Sequence, residues 1–393
     1  MNYEELIMQL QEWRHYLHQH AESAFEEKET AAYVAQKLRE MGYETHEKIG
    51  VTGVVASLAV GDGKEIIGLR ADMDAINMIE TGSVPYKSEN ENRMHACGHD
   101  GHTATLLGAA KLLMERKNFN GTVRFIFQPA EEPGKGALAM IADGLFERFP
   151  VDEMYGLHNM PQLSAGAIHT RVGGVMASED NFVIRIKGKG GHASQPHLGI
   201  DPLVIAAEII LALQTIVARN VNPQLPAVIS CTELHTDGIR NAIPTTVEIK
   251  GDTRSFEPAV QELLEIRMRN ICEGICQMHG AGCEFEYTHE FAPTYNWEQC
   301  VETAVAAARK VVGEDQVNGN CEALMGSEDF GAFIANIPGC FVFLGSGKAN
   351  DPKQEIPLHN SIYDYNDDVL VTGAEFFAEL ISTRLPQLKK EGN

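Results

Sequence analysis

Met94-His-Ala-Cys-Gly-His-Asp-Gly-His-Thr103 gathers one thiol, three imidazoles and one carboxylate in ten residues, then runs at once into the helical pattern Ala104 to Leu113. Transition metals take that donor set. Cys97 and His99 sit two apart, so an extended or turning backbone lets both face one side, with Gly98 keeping the chain compact between them. At a helix N-terminus Cys97 would reach the thiolate more readily than a free cysteine. A helix cap with incidental histidines is the plainer reading, and donors from elsewhere in the chain decide between the two.

Working outward, four apolar strands are expected to end in groups able to bind metal or move protons. Ile66 to Ala71 runs into Asp72-Met-Asp74, Thr122 to Phe127 into Gln128-Pro-Ala-Glu131-Glu132, and Met154 to Leu157 into His158, while Ile356-Pro-Leu-His359 sets an imidazole just ahead of the last helix. Read singly, Glu131-Glu132 is a solvated pair, Asp72 and Asp74 cap a turn, and His158 and His359 are hydrogen-bonded histidines. Ligands of open α/β sheets bind beyond the carboxyl ends of the strands, where these groups would meet Cys97 and His99. Adjacent carboxylates after Pro129 suit two jobs, one holding metal and one taking a proton from water. Asp72 or Asp74 would stand behind a ligand and orient its imidazole.

The remaining rhythm is read from periodicity and turn signals. Leu6, Leu10, Trp13 and Leu17 mark a first helix, and Glu27 to Met41, closed by Gly42, a second. Val51 to Val60 and Glu65 to Ala71, separated by Gly61-Asp-Gly63, read as strands around a hairpin-like turn. Helix 102 to 117, strand Gly121 to Phe127, helix Ala137 to Asp143 and strand Glu153 to Leu157 continue an α/β alternation. From Ser178 the order becomes β-α-β-β-α-β, the split βαβ arrangement, with strands at Phe182 to Ile186, Val228 to Glu233, Thr246 to Asp252 and Cys283 to Glu290 and helices at Pro202 to Ala218 and Pro258 to Met278. Residues 179–290 are therefore expected as an inserted domain, and 1–178 with 291–393 as a discontinuous one. The second part of the latter holds helix 298 to 312, Phe330 to Ala335, strand Cys340 to Gly345 and helix 366 to 384.

A chain of 393 residues has room for two such domains. Lys+Arg 32 against Asp+Glu 55, a net charge of −23, argues against nucleic acid or an anionic membrane as partner. The N-terminal segment lacks a signal-like apolar run, and no apolar stretch approaches the ~20 residues of a membrane span. Eight cysteines without paired spacing read as reduced thiols of a cytoplasmic protein.

Arg70-Ala-Asp-Met-Asp-Ala75, His95-Ala-Cys-Gly-His-Asp-Gly-His102, Phe127-Gln-Pro-Ala-Glu-Glu132, Gly188-Lys-Gly-Gly-His-Ala-Ser194 and Pro357-Leu-His359 resemble segments of the dinuclear metallopeptidases related to aminoacylase and glutamate carboxypeptidase. Within them the chain is similar to the amidohydrolase branch of hippurate hydrolases, auxin-conjugate hydrolases and N-acyl amino acid deacetylases. The likeness spans nearly the whole chain. It implies a large zinc-peptidase-like α/β catalytic domain with an inserted ferredoxin-like α+β domain that serves as lid and dimer interface. It implies two divalent ions per subunit, zinc or manganese foremost and cobalt or nickel also admissible. Their ligands by resemblance are Cys97, His99, Glu132, His158 and His359, with Cys97 the bridge and Glu131 the general base. The wider family has a histidine two residues before the aspartate matching Asp74, where this chain has Asp72, so Asp72 and Asp74 are placed behind the ligands. His192 matches a histidine that reaches the active site of a second subunit and polarises the scissile carbonyl. Asn241 resembles a substrate-contacting residue.

From the residues themselves, Lys187-Gly-Lys-Gly-Gly-His192 is a flexible loop after a strand, not a phosphate cradle, since no Lys-Ser/Thr follows. Arg254 would hold a substrate carboxylate or form a structural ion pair. The expected reaction is metal-assisted hydrolysis of an N-acyl amino acid, by a homodimer or a higher oligomer. A cysteine hydrolase built on Cys97 with His99 or His102 leaves Glu131, Glu132, His158 and His359 idle. A non-catalytic metal or amino acid binder has no use for a base, and an aminopeptidase or dipeptidase on the same scaffold differs only in substrate.

Overall fold

The structure, a computed structural model, describes residues 3–349 and 354–387. Two compact units divide the chain. The first runs from the N-terminus to Val175, takes in Tyr295–Glu322 and resumes at Asp329; the second is Met176–Thr294 with Ala323–Glu328.

In the first unit, helix α1 (Tyr3–Gln19) buries Leu6, Leu10, Trp13 and Leu17 as their spacing predicts, and buries Arg14 and His18 beside them. Helix α2 (Lys28–Glu40) ends ahead of Gly42, whose φ of 92° lies in the left-handed region that glycine enters freely. Strands β1 (Thr45–Ile49), β2 (Gly53–Val60), β3 (Ile66–Asp72), β4 (Gly121–Gln128) and β5 (Glu153–Ser164) lie in the order β1-β2-β4-β3-β5, followed by Gly339–Gly347, Ile168–His169 and Val317–Asn318. Strands β3, β4, β5 and Gly339–Gly347 run parallel, so their carboxyl ends share one edge. Helix α3 (His99–Arg116) starts inside the opening motif and is buried along most of its length.

Two expectations are corrected here. Gly61-Asp-Gly63 does not close a hairpin, because β4 lies between β2 and β3; the side-chain oxygen of Asn120 accepts from the Asp62 and Gly63 amides instead. The hairpin is β1–β2, and β1 has only one fully buried residue, too few to stand out as a strand. Ile356 to His359 is no strand. Pro357 lacks a donor for a ladder, and His359 takes a φ of 61° in a turn whose amide donates to Ala96 O at 2.8 Å.

The second unit has an antiparallel sheet ordered Ala227–Thr236, Thr246–Ser255, Glu179–Lys187, Gly282–Phe291. Helices Pro202–Arg219 and Pro258–His279 cover it, and Ile205, Ile209, Leu213, Leu264 and Met268 pack with Phe182, Ile184 and Ile186. Asp201 starts the first helix by accepting from Leu203 N at 3.0 Å, with Pro202 in the position where its missing donor costs nothing. That helix is 18 residues long and apolar enough to cross a membrane by length and composition, contrary to the sequence expectation. Its apolar excess divides between the packed face and the exposed Val204 and Leu211.

Candidate active site

Strand β3 delivers two buried carboxylates to the shared edge, with different duties. Asp72 accepts from Arg70 at 2.8 Å through one oxygen and meets His102 Nδ1 at 2.6 Å through the other. Arg70 also donates to Gln128 at the end of β4 and to Asp329, so one buried guanidinium ties adjacent strand ends together. Asp74 faces the turn after β4, where its two oxygens accept from the Glu131 and Glu132 amides at 3.0 and 3.1 Å. The Pro129–Glu132 turn is tight enough that a Cβ on Gly136 would stand 1.6 Å from Pro129 O, so only glycine fits there.

Gly98 turns the motif into α3 with a φ of 92°, and a Cβ there would meet the Asn159 side chain at 2.4 Å. This close approach sets Cys97 and His99 against β5. The Cys97 thiol lies 3.4 Å from His158 Nε2, while His158 Nδ1 donates to Asn159 O at 2.8 Å. His99 Nδ1 likewise donates to Asp74 O at 2.9 Å. Each imidazole is thus turned by a main-chain acceptor that leaves its Nε2 facing the other donors, the arrangement that fixes the tautomer of a metal-binding histidine. His158 lies within β5, which runs on past it to Ser164, and not at the strand's end.

The donors fall into overlapping groups, each with atoms within 4.8 Å of one another: Cys97, His99 and His158; Cys97, Glu132 and His359; His99, Glu131 and Glu132. Asp72, His99 and His102 form a further group. Cys97, His99 and His158 are buried, Glu131 is 6% exposed, and the His359 side chain is 57% exposed at the rim. His99 Nε2 and Glu132 Oε1 are buried without a hydrogen-bond partner among the described residues.

The electrostatics record an excess of anions. Burial lifts the Glu132 carboxyl to about 7, with Asp74 and Asp72 adding to the rise against the pull of His99. Burial alone would lower His99, yet Asp72 and Cys97 raise it well above its ordinary range. Burial, helped by His102, drives His158 well below its ordinary value. Burial and then the Glu132 charge push the Cys97 thiol well up, which reverses the sequence expectation of a ready thiolate. Cys97 precedes the α3 cap, and the charge of Glu132 beside it opposes a thiolate.

Arg70 and Asn159 have no role from sequence, and His102 has one only as the partner of a Cys97 nucleophile. Arg70 was detectable as the one charge in an otherwise apolar strand segment; Asn159, hydrogen-bonded to His102 and Tyr363, carries no such signal. His192, Asn241 and Arg254 belong to the second unit. There His192 is exposed, pairs across a short ladder with Ala242, and contacts Ser194 Oγ through Nδ1 at 2.7 Å. The Asn241 carbonyl accepts from Ala193 N, which holds the two loops side by side. Arg254 is engaged by Asp252 at 2.7 Å, Glu179 at 2.9 Å and Ser327 at 2.7 Å, the ion-pair arrangement.

The family model described as Peptidase family M20/M25/M40 matches residues 68–383. A hippurate hydrolase of Campylobacter jejuni is 43% identical over 367 residues, covering 93% of this chain and 94% of that protein. An N-acetylcysteine deacetylase of Bacillus subtilis is 36% identical over 375 residues, 95% of this chain and 96% of the other. Among solved structures, a Bacillus subtilis protein described as a dinuclear metal binding peptidase from the M20 family aligns with a TM-score of 0.84 at 32% identity, over 97% of this chain and 99% of that one. With its metal-binding residue types gathered at one sheet edge, the chain belongs to peptidase family M20/M25/M40 and is a metal-dependent amidohydrolase.

Proposed function

We propose that this protein hydrolyses the amide bond of N-acyl amino acids with an acetyl or aromatic acyl group, using two divalent ions held by Cys97, His99, Glu132, His158 and His359. The observation that carries the reading is the pair of orphaned atoms, His99 Nε2 and Glu132 Oε1, buried among further donors of the same kind. A buried polar atom left without a hydrogen bond is costly, and a metal ion that displaces the proton of His99 Nε2 would satisfy several such atoms at once. Sulfur, imidazole nitrogen and carboxylate oxygen together suit zinc or manganese, with cobalt and nickel admissible. Bound there, such ions polarise an amide carbonyl and lower the pKa of water toward neutrality.

The protein's own groups do the rest. Glu131, presented by a turn whose amides Asp74 grips, takes the proton of the attacking water and hands it to the leaving amine. Asp74 and Asn159 hold the imidazoles in register through their carbonyls. His192 of a second copy polarises the scissile carbonyl, in a homodimer formed through residues 179–290 acting as a lid domain on the catalytic part, 1–178 and 291–393. The edge strands Ala227–Thr236 and Gly282–Phe291 offer that domain a way to pair with its twin. Asn241, beside His192, contacts substrate. A cytoplasmic setting accords with eight free thiols.

A cysteine-nucleophile mechanism is disfavoured, because the Cys97 thiol is held protonated and both His102 nitrogens are engaged by Asp72 and Asn159. The test is turnover of N-acetyl, benzoyl and indole-acetyl amino acids, with dipeptides as the competing substrates, repeated with each metal. Glu131→Gln should keep its metal and lose about 10²- to 10⁴-fold in turnover; a variant as fast as wild type removes Glu131 from the mechanism.

A further inference from the structure

We propose that Glu27 is a positioning residue for the turn that presents Glu131 and Glu132, a step that rests on the roles given to those two residues above. Glu27 is fully buried at the N-cap position of α2, yet its side chain makes no hydrogen bond to the amides of its own helix. Its carboxylate points elsewhere. Oε1 accepts from Ala130 N at 2.9 Å and from Phe25 N at 3.0 Å, and Oε2 accepts from the Thr52 hydroxyl at 2.6 Å.

Both residues whose amides meet Oε1 have left-handed backbones, with φ of 50° at Ala130 and 62° at Phe25. A residue with a Cβ stays in that region only where its surroundings over-determine it. Glu27 supplies that constraint for Ala130, and Asp74 supplies it for the next two amides. Three consecutive N–H groups, Ala130, Glu131 and Glu132, are therefore gripped by two buried carboxylates. The grip fixes where the turn's own carboxylates stand, one assigned to a metal and one to a proton. Released at Ala130, the turn would relax toward an ordinary backbone and carry both away from His99.

Reach and charge separate in two substitutions. Glu27→Gln keeps Oε1 on both amides and points an N–H₂ at the Thr52 hydroxyl, which can accept. Glu27→Asp keeps the charge but is one methylene short of Ala130 N. In the full-length protein, zinc affinity is read by competition with a chromophoric chelator, and kcat and KM are read separately, at temperatures where thermal unfolding shows each variant folded. Glu27→Gln should stay within about threefold of wild type, while Glu27→Asp loses about 10- to 100-fold in both zinc affinity and kcat with KM little changed. A merely structural Glu27 would lower the unfolding temperature and leave zinc affinity and kcat alone. A folded Glu27→Gln that loses tenfold or more overturns the proposal, as does a Glu27→Asp that keeps both; should Glu27→Asp not fold, Glu27→Met, which keeps the length and removes both acceptors, is read in its place with the same loss expected. Glu131→Gln run alongside keeps the two readings apart: if it turns over normally the base assignment falls, while zinc affinity still reports the turn through Glu132.

Discussion

Two clusters of buried ionisable groups meet at the start of α3, one on each side of the step from His99 to Asp100. On the Asp100 side each carboxylate has a cation of the protein within ion-pair reach. Arg14 and Asp100 pair at 2.9 Å, Arg14 also pairs with Asp364 and reaches Asp367 at 3.4 Å, and His18 bridges Asp100 and Glu80. On the His99 side Asp72, Asp74, Glu131, Glu132 and Cys97 crowd together, and Arg70 is spent on Asp72 and Asp329. The first cluster carries its own cations. The second leaves Glu132 3.8 Å from His99 Nε2 and 3.7 Å from His359 Nε2, beyond hydrogen-bond reach, and that difference separates a structural ion network from a candidate active site although both are buried carboxylates with imidazoles.

Removal of divalent ions should therefore act on one cluster alone, and it is the largest effect expected. Chelation should abolish turnover and added metal restore it, while far-UV circular dichroism keeps its helical signal because Arg14, His18 and the core need no ion. Turnover that ignores a chelator and dies with thiol alkylation would break the comparison. It would make Cys97 a nucleophile.

Breaking the ion-paired cluster should do the converse. Arg14→Met takes the guanidinium from Asp100 and should cost about 3 kcal/mol in urea unfolding, because that buried carboxylate is left with His18 as its paired cation. Zinc affinity of the folded fraction should hardly move. A destabilisation below about 1 kcal/mol would mean that the cluster is solvated and that the contrast between the two sides is false.

The two clusters were not equally legible. The α/β class and its helices followed from periodicity, and the donors Cys97, His99, Glu131, Glu132, His158 and His359 stood out because polar groups interrupt or terminate apolar runs. The grip of Asp74 on two amides was invisible, since hydrogen bonds to main chain leave no mark on residue type. Arg14 and His18 stand outside the apolar spacing Leu6, Leu10, Trp13 and Leu17 that marks the first helix. Leu6, Leu10, Arg14 and His18 follow at steps of four, which puts both cations on the apolar face, and that spacing was the available signal. The placement of β4 between β2 and β3 depends on long-range pairing, which local turn chemistry does not encode.

His18 gives the finest test, because pH alone can switch it. Burial would depress its pKa, but hydrogen bonds to Asp100 and Glu80 outweigh burial and the opposing charge of Arg14, and raise it to about 9; the rings of Tyr86 and His95 complete its surroundings. A folded-state pKa above the unfolded value near 6.5 stabilises the protein fully below that value, and the contribution is lost as pH rises through about 9. In unfolding free energy, His18→Gln should therefore lie at most about 3 kcal/mol below wild type near pH 6, with the gap narrowing above about pH 7 and levelling off by about pH 10. A gap that stays flat across that range would mean a neutral imidazole, and the cluster would then carry one cation where two are assigned.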